Sequence, residues 1–425
     1  MIHNDFDVVI IGAGPAGSSA AILLASAGWS VALIEKQSFP RRKVCGECIA
    51  ASNLPLLEAL GIGTAFEDRA GPELRKVALM YGTSKIMADL PGATHEKYRW
   101  GRALGRETLD NLLIEQARKV GATILQPWSL QKIEGSAGDW HCEIRDENSQ
   151  VKRKLHSPVA IAANGSWESL PLDRPKRRLA RSASDLFAFK ANFKEVGLDN
   201  GLLTLLSFKG GYGGMVVADG GMTTIACCLR RDRLEALRIS SPGLSVGNII
   251  ENLLKHECKG VLNALQGAKR EGKWLAAGPI DPGIQLRTDD SLFRIGNAAG
   301  EAHPIIGEGM SMALQSAFLL CAHLLNAQNH NMVLGALWQR EVASRYAIEW
   351  RQQFQPRLWL SATFAHLAMR PASSVLLVAV MRIWPGLLTL GAKLAGKVHC
   401  AVNPTSIALL TPVNSKLNAA LSYKS

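Results

Sequence analysis

The apolar run Val8-Val9-Ile10-Ile11, followed at once by Gly12-Ala13-Gly14-Pro15-Ala16-Gly17, constrains the fold of this chain more than any other feature. A β-branched strand must enter a turn that three glycines make tight, and the small residues from Ser18 to Ala27 then form a helix packed close to that strand. Gly12 permits the turn, Gly14 lets the backbone approach a pyrophosphate, and Gly17 lets helix and strand touch. Pro15 and Ala16 belong to the same cradle. Val31 to Ile34 supplies the second strand. Glu35 at its end, with Lys36 beside it, places a carboxylate where a ribose diol can be held and where a 2'-phosphate would be repelled. The unit is the βαβ start of a dinucleotide-binding α/β domain.

Further along, Arg106 to Gly121 carries a helical stripe of Leu109, Leu112, Leu113 and Ala117 closed by glycine, and Ala122 to Leu125 and Val159 to Ala163 read as buried strands. Between about Ser182 and Ala277 the pattern changes to short apolar runs, Leu202 to Phe208, Met215 to Ala218 and Thr223 to Leu229, separated by glycine pairs. An antiparallel sheet inserted into the α/β domain is expected there. Met310 to Asn326 is apolar almost all round, as suits a central helix.

A second glycine-rich block runs from Phe293 to Gly309 and contains Gly296, Asn297, Ala298-Ala299-Gly300, His303-Pro304 and Gly307-Glu308-Gly309, with Met310 opening the helix. One glycine loop indicates only some dinucleotide. Two such blocks together indicate FAD, the first holding the ADP half and the second the ribityl chain and ring. The backbone N–H groups of Gly307 to Gly309, at the positive end of a helix, would face the edge of a flavin that becomes negative on reduction.

In this order, Gly12 to Gly17 with Glu35, Arg42-Lys43-Val44-Cys45-Gly46-Glu47, Arg106 to Asp110 and Gly296 to Gly309 resemble FAD-dependent oxidoreductases of the geranylgeranyl reductase group. That group lies within the superfamily of p-hydroxybenzoate hydroxylase and the flavin-dependent halogenases, and the resemblance covers about residues 5 to 330. It implies a discontinuous Rossmann-type FAD-binding domain (1–75, 101–181 and 278–350), an inserted β-sheet substrate domain (76–100 and 182–277) and a helical C-terminal extension (351–425).

The resemblance also implies roles. Arg106, Gly46 and Asn297 would contact FAD, with Asn297 standing where an aspartate usually bonds the ribityl hydroxyls, and Asn164-Gly165 standing for the more common Asp-Gly; of the bases Arg41, Arg42 and Lys43, one, taken as Arg42, reads as a contact to the adenosine or pyrophosphate, against a solvated basic loop. Cys45 would lie near the ring. Cys45 to Cys48 has the Cys-x-x-Cys spacing of a redox dithiol, against which stands the ordinary packing of small buried cysteines. His303 reads either as an acid or hydrogen-bond donor toward substrate or as a structural loop histidine. Gly211-Tyr212-Gly213-Gly214 resembles the glycine–aromatic turn of the substrate sheet and lacks the tryptophan pair expected of halogenases.

The implied activity is hydride transfer between flavin N5 and a lipophilic substrate, isoprenoid, polyketide or alkyl-phenolic. The alternative is an NAD(P)H-dependent monooxygenase that hydroxylates an aromatic or polyketide ring, and a third reading is a non-catalytic flavin-binding membrane protein. No second Gly-x-Gly-x-x-Gly follows, so NADH or NADPH would bind only transiently.

The net charge of +12 is concentrated in the tail, for after Glu349 there is no Asp or Glu while Arg351, Arg357, Arg370, Arg382, Lys393, Lys397, Lys416 and Lys424 remain. Interleaved with Trp359, Phe364 and Trp384, these bases suit a face against anionic lipid, with core helices capping the substrate pocket as the alternative, and nucleic acid is a poor third. Arg382 and Pro385 interrupt the apolar stretch from Pro371 to Ala392, so interfacial helices or a helical hairpin are expected, not a span. The eight cysteines show no zinc-ligand spacing, no metal is expected, and no export leader precedes Phe6. The expected placement is a reducing cytoplasm, at the inner face of the membrane.

Overall fold

The computed structural model describes residues 4–166, 168, 170–171, 182–287, 292–328, 335–402 and 410. A five-stranded parallel sheet has Val8–Ile11 at its centre, flanked by Val159–Ala162 and Phe293–Arg294 on one side and by Val31–Ile34 and Thr123–Leu125 on the other. The central strands are buried on both faces, as their unbroken β-branched sequence requires. Helix Pro15–Ser26 packs between the sheet and the central helix Gly309–Gln328. It starts at Pro15, earlier than the Ser18 read from sequence, because a proline at the first helical position loses no hydrogen bond.

A second sheet has seven strands in the order Lys269–Ile280, Leu186–Lys194, Thr223–Arg230, Gly211–Val217, Leu202–Phe208, Lys76–Tyr81 and Ser84–Asp89. It is the expected inserted sheet, with one correction: Leu202–Phe208 and Lys76–Tyr81 run parallel, the latter coming from the earlier, separate segment 76–100 and not joined to the former by a hairpin. The boundary drawn at 277 cuts strand Lys269–Ile280. A three-stranded antiparallel sheet of Trp128–Ser136, Asp139–Asp146 and Lys152–Ser157, which the sequence reading did not anticipate, covers the outer face of the parallel sheet and buries Trp140 and Leu155.

The boundary at 350 is also displaced, because Ala336–Met369 is one helix of 34 residues. Its first half puts Tyr346, Trp350 and Phe354 into the core of the parallel-sheet domain, and its last turns put Ala365, Ala368 and Met369 against the seven-stranded sheet. Trp350 packs so closely on Gly300 that a Cβ there would stand 2.5 Å from its ring. Helices Pro371–Ile383 and Gly386–Leu394 follow as a hairpin, broken where Pro385 caps the second. Among the described residues no single helix is long and apolar enough to cross a membrane; the long helix and Ala372–Ile383, bent by 103°, pass that test only as a pair. Residues 172–181, 403–409 and 411–425 of the drawn domains, with Lys416 and Lys424, lie outside the described residues.

Candidate functional site

The glycines behave as their spacing requires. Gly12 adopts φ +102°, and a Cβ there would meet Ala163 O at 2.5 Å; a Cβ on Gly17 would stand 1.9 Å from Gly12 O. Gly14 caps helix Pro15–Ser26 with no side-chain cap and no acid in the first turn, so the amides at the helix start are open to an anionic ligand. Glu35 ends its strand 4% exposed, accepting from Ala13 N at 3.0 Å, Gln37 N at 2.9 Å and Arg41 Nη1 at 3.0 Å.

These residues open into a cavity of 710 Å3 that continues between the two domains. Gly12, Gly14, Pro15, Ala16, Glu35, Lys36, Cys45, Gly46, Arg106, Gly296, Asn297, Gly307, Gly309 and Met310 all line it. Gly17 does not; its part is the close approach of helix to strand. Arg42 is a correction, since it lies outside the lining, with its guanidinium on Glu107 Oε2 and Glu271 O, both at 3.1 Å. Its neighbours Arg41 and Lys43 line the cavity instead, Arg42 being drawn away by its partners Glu107 and Glu271. Burial, with the like charges of Arg41 and Arg106, lowers the pKa of Lys43.

Arg106 forms a two-pronged pair with Asp110, at 2.7 and 2.8 Å. Asn297 Nδ2 donates to Ser166 Oγ at 2.8 Å, and Ser166 Oγ donates to Glu301 Oε1 at 2.9 Å. Asn164 Oδ1 is buried and, among the described residues, has no hydrogen-bond partner. An orphaned acceptor, uncapped helix amides and glycines at 46, 165 and 309 with open space where a Cβ would point all fit a bulky polar nucleotide such as FAD.

Cys45 Sγ accepts from Glu47 N at 3.3 Å and faces the cavity. Cys48 also lines it, but burial raises its thiol pKa, and all eight cysteines are free. A buried thiol held protonated is a poor nucleophile, which weighs against the dithiol reading. His303 does not line the cavity. It is 8% exposed, its Nδ1 is 3.4 Å from Tyr212 Oη, and burial together with His366 pushes its pKa down to about 4. His303 is therefore neutral at pH 7 and meets the cavity only through Tyr212, a lining residue.

Two groups of residues escaped the sequence reading. Glu47, in left-handed backbone at φ +59°, is buried against Lys190 Nζ, Thr224 Oγ1 and the backbone N of Arg106. The acid between Gly46 and Cys48 was visible, but not its partners on another sheet. Lys397 lines the cavity from the tail, donating to Gly307 O at 3.0 Å and lying 3.4 Å from Glu308 Oε1; Arg357 holds Glu308 Oε2 at 3.3 Å. Nothing local in the tail signals this contact.

Fold and site together define an FAD-dependent oxidoreductase. The chain belongs to the FAD binding domain family, whose model matches residues 5–235. It is 30% identical over 371 residues to a 1H-pyrrole-2-carbonyl-[peptidyl-carrier protein] chlorinase of Pseudomonas fluorescens, covering 78% of each chain. It is 25% identical over 370 residues to digeranylgeranylglycerophospholipid reductase 2 of Methanopyrus kandleri, covering 82% of this chain and 83% of the relative. Among solved structures, the flavin-dependent brominase Bmp2 superposes with a TM-score of 0.71 at 18% identity, over 99% of both chains. The chain spans between 60% and 83% of the length of the curated relatives it matches over most of its own length. It is a flavin-dependent enzyme of the superfamily that holds geranylgeranyl reductases, aromatic hydroxylases and halogenases, and FAD is its cofactor.

Proposed function

We propose that this enzyme reduces or dehydrogenates a carbon–carbon bond in a lipophilic substrate of the isoprenoid, polyketide or alkyl-phenolic kind. The observation that carries this reading is the continuity of the cavity. One end is the polar glycine cradle; the other is apolar, with Val77, Leu79 and Leu205 of the seven-stranded sheet facing Leu377, Met381 and Leu388 of the C-terminal hairpin. When bound, FAD supplies the redox chemistry, exchanging a hydride with substrate or reacting with oxygen once reduced. The protein's share is to orient an apolar chain and exclude water. Tyr212 Oη, on the wall between the halves, keeps its proton because burial raises its pKa well above the ordinary value. It is a fitting proton partner for a hydride step. NADH or NADPH serves as transient donor.

The same hairpin fits delivery from a bilayer at the inner face of the cytoplasmic membrane. Its inner sides line the cavity, while Ile383, Trp384 and Leu376 on its outer sides are 72%, 66% and 65% exposed beside Arg382 and Lys393. Apolar residues ringed by bases match an anionic lipid surface.

One observation favours a second reading: the relatedness to a chlorinase supports an oxygen-using enzyme, with hydroxylation ahead of halogenation because the tryptophan pair is missing. Anaerobic mixing separates the two. If photoreduced enzyme regains its yellow colour on addition of a lipid alkene extract without oxygen, the first reading stands. Reoxidation only with oxygen, with an atom of labelled oxygen appearing in the product, replaces it by the second. Failure to sediment with phosphatidylglycerol vesicles at low salt would remove the membrane component.

A further inference from the structure

We propose that Asp139, His141 and His156 form a binding site for a borderline-soft divalent metal ion, Zn2+ by preference, on the outer face of the three-stranded sheet. The site is separate from the cavity, which none of these residues lines. Asp139 and His141 are two apart on strand Asp139–Asp146, so their side chains leave the same face, while Trp140 and Cys142 between and after them point into the core. The antiparallel register sets His156 of strand Lys152–Ser157 directly opposite His141. Three donors thus converge from two strands, and their ligand atoms all lie within 4.8 Å of one another.

The carboxylate bridges both imidazoles at hydrogen-bond distances, a few tenths of an ångström short of a metal's ligand spacing. Asp139 Oδ1 lies 2.9 Å from His156 Nε2 and 3.1 Å from His141 Nε2. Ligands on a tetrahedral zinc at bond lengths of about 2.0–2.1 Å stand about 3.3 Å apart. Both imidazoles therefore present the same nitrogen to one carboxylate oxygen, and an ion would enter by replacing these two contacts as the three ligand atoms spread.

An independent observation points the same way. Asp5 Oδ1 is 3.1 Å from the far nitrogen, Nδ1, of His156. A carboxylate behind a histidine fixes its tautomer so that the other nitrogen offers its lone pair, the arrangement seen behind zinc-bound histidines. Asp5 is held there by backbone: His156 N donates to Asn4 O at 2.8 Å and Phe6 N donates to His156 O at 3.0 Å. Glu134, opposite His141 on the third strand, has its carboxylate on Lys132 at 2.6 Å and is not counted as a ligand. Two imidazoles and one carboxylate suit zinc, copper or nickel better than magnesium or calcium, and an exposed face leaves a position for water. Bound metal would tie both strands to the segment that enters the first strand of the cofactor domain.

The test uses tag-free, FAD-loaded, chelator-stripped protein titrated with ZnCl2 by calorimetry, with MgCl2 in parallel. The expected result is one Zn2+ per chain, no Mg2+ binding at matched concentration, and loss of the site in Asp139→Asn and His141→Gln. Asp5→Asn, which leaves all three ligands, should weaken zinc about 10–100-fold. Asp139 and His141 are exposed and His156 is half-buried, and folding of the variants is checked by an unchanged flavin spectrum and melting curve in the absence of zinc. No saturable zinc binding, or zinc affinity unchanged in His141→Gln and Asp5→Asn, overturns the proposal.

Discussion

Glu47 and Lys190 form a buried ion pair that ties the loop beside the flavin cavity to a strand of the seven-stranded sheet. Each is 3% exposed or less, and Thr224 Oγ1 donates to the same carboxylate. Removing one partner strands a charge between the domains. Glu47→Leu and Lys190→Met should each cost about 3–5 kcal/mol of stability, and the double substitution should cost less than either alone. Urea unfolding of the four proteins in the cycle measures this.

The two close glycines should separate fold from cofactor binding. Gly17→Ala places a methyl 1.9 Å from Gly12 O and should yield protein with little FAD and a lower melting temperature. At Gly14 the nearest atom to a new Cβ is Arg106 Nη2 at 3.9 Å, so Gly14→Ala should fold normally yet bind FAD more weakly, since the methyl enters the cradle. The ratio of flavin to protein absorbance, read with the melting curve, distinguishes the two effects.

Lys397 brings a cation to the wall formed by Gly307 and Glu308. Loss of one charged hydrogen-bonding group there should weaken FAD about tenfold, on the usual magnitude for such contacts. Lys397→Met, titrated with FAD by fluorescence quenching, should show this weakening, with a larger loss for reduced than for oxidised flavin.

His303 has a folded pKa of about 4 against roughly 6.5 when unfolded. Below the unfolded value the denatured chain takes up a proton that the folded chain refuses. The contribution of neutral His303 is therefore fully present above about pH 6.5 and falls away as the pH drops toward 4, by about 3 kcal/mol at most. His303→Phe should flatten the difference in unfolding free energy between pH 7.5 and pH 5.

What was legible in the chain was whatever local backbone chemistry dictates. Gly12, Gly14, Gly17, Glu35 and the block Gly296 to Gly309 announce their positions because a turn, a helix start or a close backbone approach admits so few residues. Glu47 and Lys397 were hidden because their roles depend on partners far along the chain. The basic run Arg41 to Lys43 was legible as a candidate contact, but not which of its side chains face the cavity, and the fold turns Arg42 toward Glu107. Asp139, His141 and His156 were invisible for the same reason, since only strand pairing brings the third to the other two.

The helix Ala336–Met369 anchors Trp350 in one core and Met369 in the other, with Pro356 between them removing one rung of its backbone hydrogen-bond ladder, so any relative motion of the two lobes concentrates as bending at that turn. A chain shortened ahead of Arg351 would not be a smaller working enzyme but a molecule with two opened interiors.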